Sequence, residues 1–339
     1  MRAPRFWTAR PGLAGALLAP ASAVWTWRTR RRLARPPTLR PPVPVVCVGN
    51  LTAGGSGKTP VALAIGRSLA EAGIAVGYLT RGHGGRTRGP VTVDPARHDA
   101  RTVGDEPLLL AAVAPTVVAR DRAEGARMAI ARGARALVMD DGFQNPGLAK
   151  DLSILVFDGE TGFGNGRVIP AGPLREPPAD GLARADAVVM LGEDRTGLGA
   201  ALDGRDFGRG PLPVLRARVE PPAEEAARWR DRDVVAFAGI GRPEKLFASL
   251  EAAGARLVAR VAFPDHHAYQ PDELMRLLEM AAAAGAIPVT TAKDRVRLPA
   301  GVREAVAELP VAVVWEEPAA LDRLLAPVRL AAHGLDETV

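Results

Sequence analysis

The sequence predicts an α/β fold: a parallel-sheet domain of the phosphate-binding kind, a second and smaller α/β domain, and an N-terminal helical arm. Three observations lead there. Short apolar runs alternate with amphipathic stretches along most of the chain, as in strand–helix–strand units. A glycine-rich stretch stands between the first apolar run and the first helical one. The first 40 residues differ sharply in composition from the rest. A length of 339 residues suits two domains.

The arm comes first. It holds nine arginines and no acid, which leaves residues 41–339 at −3 within a chain of net charge +6. The basicity belongs to an arm and not to a folded surface, so no nucleic acid is expected as a partner. Aromatics at 4% also argue against base-stacking platforms. The apolar centre Leu13-Ala14-Gly15-Ala16-Leu17-Leu18-Ala19 meets Pro20 and is followed by Val24-Trp25-Thr26-Trp27. This is shorter than the roughly 20 residues of a spanning helix, and arginines at both ends assign no orientation. Ala19-Pro20-Ala21-Ser22-Ala23 is a poor cleavage region for a signal peptide. A hairpin or kinked helix lying in a membrane interface is expected, with Trp7, Trp25 and Trp27 at headgroup depth and arginines on anionic lipid. The alternative is a helix packed on the protein's own body. A stiff proline-rich linker, residues 35–42, follows.

Val45-Val46-Cys47-Val48 then reads as a strand, with the chain's single cysteine as a small buried hydrophobe. Gly49-Asn50-Leu51-Thr52-Ala53-Gly54-Gly55-Ser56-Gly57-Lys58-Thr59-Pro60 comes next, and residues 61–72 read as a helix. Strand, glycine-rich loop, Lys-Thr and helix form the P-loop context. Gly54, Gly55, Ser56 and Gly57 would let backbone N–H groups close on phosphate oxygens, with Lys58, Thr59 and Pro60 opening the helix. Lys58 would reach the β- and γ-phosphates of ATP, and the Thr59 hydroxyl would bind Mg2+. Thr52 stands where the strict pattern has glycine, and a plain glycine-rich turn is the alternative. Ala53 replaces the lysine that opens the partitioning-ATPase variant.

Residues 74–79 read as the next strand, ending in Thr80-Arg81-Gly82-His83-Gly84-Gly85-Arg86, on the side of the sheet where ligands bind. Gly104-Asp105-Glu106-Pro107 opens a helix, where acids are favoured in any case. Residues 116–119 form a strand, and Arg120-Asp121-Arg122 lead into another helix. Ala136-Leu137-Val138-Met139-Asp140-Asp141-Gly142 is an apolar strand ending in acid, the arrangement that holds magnesium downstream of a P-loop. Two further strands, at 154–158 and 187–191, flank a long Gly/Pro-rich crossing that includes Arg175 and Glu176. The domains are expected at residues 1–40, 41–203 and 204–339, the last a smaller α/β layer closing over the active site.

Several motifs in order resemble the tetraacyldisaccharide 4'-kinase family of lipid A synthesis. They are the P-loop from Gly49 to Pro60, Arg81-Gly82 with Gly84, Gly104-Asp105-Glu106-Pro107 and Asp140-Asp141-Gly142-Phe143-Gln144. Gly172-Pro173-Leu174-Arg175-Glu176, Gly239-Ile240-Gly241-Arg242-Pro243, Phe263-Pro264-Asp265-His266 and Thr290-Thr291-Ala292-Lys293-Asp294 complete the set, which covers nearly the whole chain. The resemblance implies a Mg2+-dependent transfer of the ATP γ-phosphate to the 4'-hydroxyl of lipid A disaccharide 1-phosphate. It implies a peripheral or monotopic enzyme on the cytoplasmic face of the bacterial inner membrane, with no obligate protein partner. It makes Asp105 the base on the sugar hydroxyl, with His266 behind it and Lys58 on the phosphate. By the same resemblance Asp140, Asp141, Glu106 and Thr59 take the metal, Gln144 takes the nucleotide, and Asn50, Arg81, Arg122, Arg175 and Glu176 lie on the acceptor side. Asn145 and His83 depart from the histidine and tyrosine usual in the family. Residue patterns alone also admit a membrane-bound nucleotide switch, or a P-loop kinase for another polar acceptor such as a nucleoside.

Overall fold

The computed structural model describes residues 4–7 and 12–334. Thirteen strands follow in chain order: β1 (Val45–Gly49), β2 (Val76–Thr80), β3 (Val91–Thr92), β4 (Thr116–Val118), β5 (Ala136–Asp140), β6 (Leu152–Asp158), β7 (Ala187–Leu191), β8 (Val214–Glu220), β9 (Asp233–Ala238), β10 (Arg256–Ala262), β11 (Ile287–Thr291), β12 (Ala307–Leu309) and β13 (Ala312–Trp315). Nine build a large sheet in the order β13-β8-β7-β6-β1-β5-β2-β4-β3, and four a small one, β10-β9-β11-β12. The large sheet is parallel except where β3 and β13 run antiparallel at its edges. Every pairing in the small sheet is parallel.

The central strands are continuous apolar runs because helices or loops cover both faces of a parallel sheet. β1, β5, β6 and β7 are buried along their whole length. The two-residue period of β1 sends Val45 and Cys47 to one face and Val46 and Val48 to the other, and two separate cores result. Burial pushes the Cys47 thiol up to about 11, as fits an unreactive packing group.

The sheets do not divide at residue 204. β8 and β13 both belong to the large sheet, and the last helix, Pro318–His333, packs Leu321, Leu325 and Val328 onto its core. The small sheet and its helices are therefore inserted between β8 and β13. The β8 strand is easily overlooked, because its burial alternates and Arg216 and Arg218 interrupt the apolar signal. The two sheets are tied by charge: Asp158, at the end of β6, meets Arg242 and also Lys245 at 3.0 Å, and Arg242 pairs with Glu160 as well.

The arm breaks at Leu18, between helices Leu13–Leu17 and Ala19–Leu33. Pro20 accounts for the break, since proline fits the first turn of a helix and not its interior. The longer helix packs on the 163–184 crossing through polar groups. Ser22 Oγ donates to Val168 O at 2.8 Å, Trp25 Nε1 to Arg175 O at 2.9 Å, and Arg30 pairs with Asp180 at 2.5 Å. Trp7 differs from its expected place at headgroup depth. Its indole donates to Pro170 O at 3.2 Å and is half-buried against the body. Apolar groups point the other way: Leu17 is 82% exposed and Trp27 58%. Among the described residues no helix is long and apolar enough to cross a membrane.

Candidate active site

The P-loop lies between β1 and the helix Lys58–Glu71. Gly57 adopts φ +82°, and a Cβ there would sit 2.3 Å from Leu191 Cδ1, so the turn requires glycine. Gly54 and Gly55 have open space where a side chain would be, which leaves the loop tip free for a ligand. Ser56 Oγ is buried and accepts from Asn50 Nδ2 at 2.9 Å, while Pro60 lies in the first turn of the helix. Asn50 is fully buried and also reaches Thr52 Oγ1 at 3.3 Å, so its Nδ2 shapes the loop from inside, while its Oδ1 has no partner among the described residues.

Thr59 Oγ1 donates to Asp140 Oδ2 at 2.9 Å. Burial, then the charge of Asp141, pushes the Asp140 carboxyl up to about 7. Its Oδ1 is buried and has no partner among the described residues, and the same holds for Glu106 Oε2. Carboxylate oxygens without partners, beside a hydroxyl, are a donor set suited to Mg2+. Asp141 is less open. Both its oxygens accept from Arg175, at 2.7 and 3.2 Å, and Lys58 Nζ lies 3.9 Å away. Burial pushes Lys58 below the usual lysine range, with Asp141 opposing that shift.

Gln144 is half-buried and bonded to its neighbours. Its Nε2 donates to Asn50 O at 2.8 Å and Glu176 Oε1 at 3.0 Å, and its Oε1 accepts from Arg175 at 3.2 Å. Glu176 is likewise enclosed, paired with Arg184. These residues brace the loop and orient Arg175, through bonds that motif position does not reveal. Arg122 is buried on the carbonyl of Ala119, and its Nε has no partner among the described residues. Burial, then the nearby Arg81 charge, pushes it down to about 10. Arg81 itself is exposed, so the two arginines offer positive charge to an anion.

Across from this cluster, the small sheet supplies the partners of Asp105. Gly104, at φ +96°, lets the chain turn into the helix Asp105–Ala111; a Cβ there would meet His83 O at 2.4 Å. His266 Nδ1 lies 2.9 Å from Asp105 Oδ2, and Arg297 Nε donates to the same oxygen at 2.7 Å, with Arg297 Nη2 also bonded to it. Asp105 Oδ1 has no partner among the described residues and is not sealed from solvent. Burial raises the Asp105 carboxyl, but the hydrogen bonds of His266 and Arg297 and the Arg297 charge prevail and hold it down at about 2. Lys293 Nζ bonds Glu106 Oε1 at 2.9 Å and sits 3.2 Å from His266 Nε2. An ammonium can only donate there, so His266 accepts at Nε2 and presents N–H to Asp105. The geometry thus brings His266 to the adjacent pair Asp105 and Glu106, which lies some 160 positions earlier in the chain. His83 stands near, its ring centre 6.0 Å from that of His266. Arg297 has no counterpart among the residues expected at the site, although it lies three residues beyond Asp294, one helical turn on, and bonds it at 2.9 Å.

The family model for tetraacyldisaccharide-1-P 4'-kinase matches residues 14–329. The tetraacyldisaccharide 4'-kinase of Rhodospirillum centenum is 61% identical over 97% of each chain. That of Gluconacetobacter diazotrophicus is 55% identical over 96% of this chain and 97% of its own. A crystal structure of LpxK from Aquifex aeolicus in complex with ATP is 26% identical, has a TM-score of 0.71, and is matched over 93% of this chain and 99% of that one. The chain belongs to the tetraacyldisaccharide-1-P 4'-kinase family.

Proposed function

We propose that this chain is the ATP-dependent kinase that transfers the γ-phosphate to the 4'-hydroxyl of tetraacyldisaccharide 1-phosphate in lipid A biosynthesis, with Asp105 as the base. The carrying observation is the asymmetry of the Asp105 carboxylate. Oδ2 is anchored by His266 and Arg297, while Oδ1 has no partner among the described residues. An anchored oxygen fixes direction and a free one can accept the hydroxyl proton. A carboxylate held near 2 is ionised at all working pH values, so the acceptor site is never lost to a competing proton. Phosphoryl transfer passes through a loose transition state, where aim counts for more than basicity.

Lys58 and the loop backbone hold the phosphates, and Arg175 fixes Asp141 beside Lys58. Thr59, Asp140 and Glu106 would hold Mg2+, which when bound offsets phosphate charge as a Lewis acid. Because Asp105 and its anchors come from different sheets, the base is complete only when the two sheets face each other closely. The small-sheet unit therefore closes over the active site and assembles it.

The acceptor is a lipid, and the arm supports work at the cytoplasmic face of the inner membrane. Its polar groups pack inward and Leu17, Val24 and Trp27 face out, the reverse of a helix seeking only its own core. The test is incubation with labelled ATP and disaccharide 1-phosphate, followed by separation of the lipid. Label in the lipid, absent with Lys58→Ala, supports the assignment. ATP hydrolysis that ignores the acceptor would instead indicate a nucleotide switch.

A further inference from the structure

At the foot of the arm helix lies a cavity of about 260 Å³. Its wall carries five cations, Arg35, Arg40, Lys150, Arg184 and Arg209, together with Asn145, and no carboxylate. Asp151 and Asp186 approach Arg40 and Arg209 at 3.8 and 3.2 Å and Glu176 pairs with Arg184, but none of these carboxylates lines the cavity. Arg35 has no carboxylate partner among the described residues. The Lys150 ammonium is satisfied only by carbonyls, Asn145 O at 2.5 Å and Leu148 O at 3.4 Å. Like charges gathered around one space repel, and they concentrate anions there.

The cavity is wired to the active site. Arg184 stacks its guanidinium 4.6 Å from the Phe143 ring centre and pairs with Glu176. Glu176 bonds Gln144, Gln144 bonds Arg175, and Arg175 holds Asp141. Asn145 follows Asp141 by four residues, so the wall begins within about 14 Å of the phosphate side even for fully extended chain. Leu33 of the arm helix forms part of the rim, which places the cavity under the segment that faces lipid.

We propose that this cavity is the subsite for the phosphomonoester already present on the acceptor, its 1-phosphate, while the 4'-hydroxyl lies at Asp105. The inference rests on the kinase reading above and adds how the acceptor is oriented. A disaccharide has hydroxyls of similar reactivity along its length, and a charge fixed at one end sets which one reaches the base. Arginine forks suit a phosphate with several acceptor oxygens.

The test compares acceptor with and without its 1-phosphate, at fixed saturating ATP, for the full-length wild type and for Arg35→Ala/Arg40→Ala. Both arginines are exposed and weakly paired, so the variant keeps its fold. Wild type should prefer the phosphorylated acceptor. The variant should raise KM for that acceptor ~10-fold or more, as expected for lost charge-assisted bonds. Its KM for ATP and its rate on the unphosphorylated acceptor should stay unchanged. Lys150→Met should erode the same preference. Equal loss on both acceptors, or no loss on either, overturns the proposal. So does a variant that loses only binding to phosphatidylglycerol vesicles free of acceptor, which would assign the cations to bulk lipid headgroups. An enzyme that phosphorylates neither acceptor would overturn the kinase reading first.

Discussion

Asp105→Asn changes one atom type and almost no volume, yet it should cost stability and turnover together. In the native protein Oδ2 takes bonds from His266 at 2.9 Å and Arg297 Nε at 2.7 Å. The Arg297 side chain is 6% exposed and that of Asp105 10%, so solvent screens the pair little. A carboxyl lowered from 3.8 to about 2 corresponds to about 2 kcal/mol of stabilisation at neutral pH. Removing one partner of a buried pair costs up to about 3–5 kcal/mol, but Arg297 keeps Asp294 at 2.9 Å and Gly239 O at 2.8 Å, which favours the lower figure. The sign follows from a depressed carboxyl. The stabilisation is complete above the unfolded value near 4 and disappears as pH falls through about 2. Urea denaturation of wild type and variant should therefore differ by about 2 kcal/mol from pH 5 to 8, and the difference should shrink from about pH 4 and vanish only below about pH 2. Loss of the base should lower kcat by ~10²–10⁴-fold with the KM for ATP unchanged. A variant as stable as wild type at pH 7, or with wild-type kcat, would refute the anchored-carboxylate argument.

Two other substitutions probe the metal side and the arm. Asp140 is the opposite case: its carboxyl is raised to about 7, so its cost to folding builds as pH rises from near 4 to about 7 and is constant above that. Asp140→Asn should raise the melting temperature of the ligand-free protein more at pH 8 than at pH 5, and abolish transfer; scanning calorimetry at the two pH values checks it. Leu17→Ser with Trp27→Ser, both on the outward face of the arm, should weaken binding to anionic vesicles while ATP binding stays intact. Undiminished vesicle binding in a flotation assay would mean that the arm only packs on the body.

Much of the fold was legible because parallel strands buried on both faces leave apolar runs that local reading detects. The P-loop and the acid-ended β5 were legible for a chemical reason, since phosphate and metal restrict which residues can stand there. Strand β8, next to the sheet's edge, was not. β8 mixes Arg216 and Arg218 with buried Leu215 and Ala217, so its membership of the large sheet comes from pairing with β7, which only the folded chain shows. The same holds within the site. Asp105 and His266 were legible through resemblance, but Arg297 acquires its role by meeting a carboxylate 192 positions away. Asn50, Gln144 and Glu176 sit at motif positions, but the bonds by which they brace one another and Arg175 appear only in the folded chain. The arm was legible in composition, while its inward polar face emerged only from contacts with the 163–184 crossing.

The central claim is that the base is assembled from both sheets, and a double-mutant cycle on kcat tests it most directly. Asp105→Asn, His266→Ala and the double variant are compared by single-turnover transfer to disaccharide 1-phosphate. Residues acting as one unit are non-additive, so the double variant should lose little more than Asp105→Asn alone. Losses that multiply, within experimental error, would mean that the two side chains act independently and that Asp105 does not depend on the small sheet for its function.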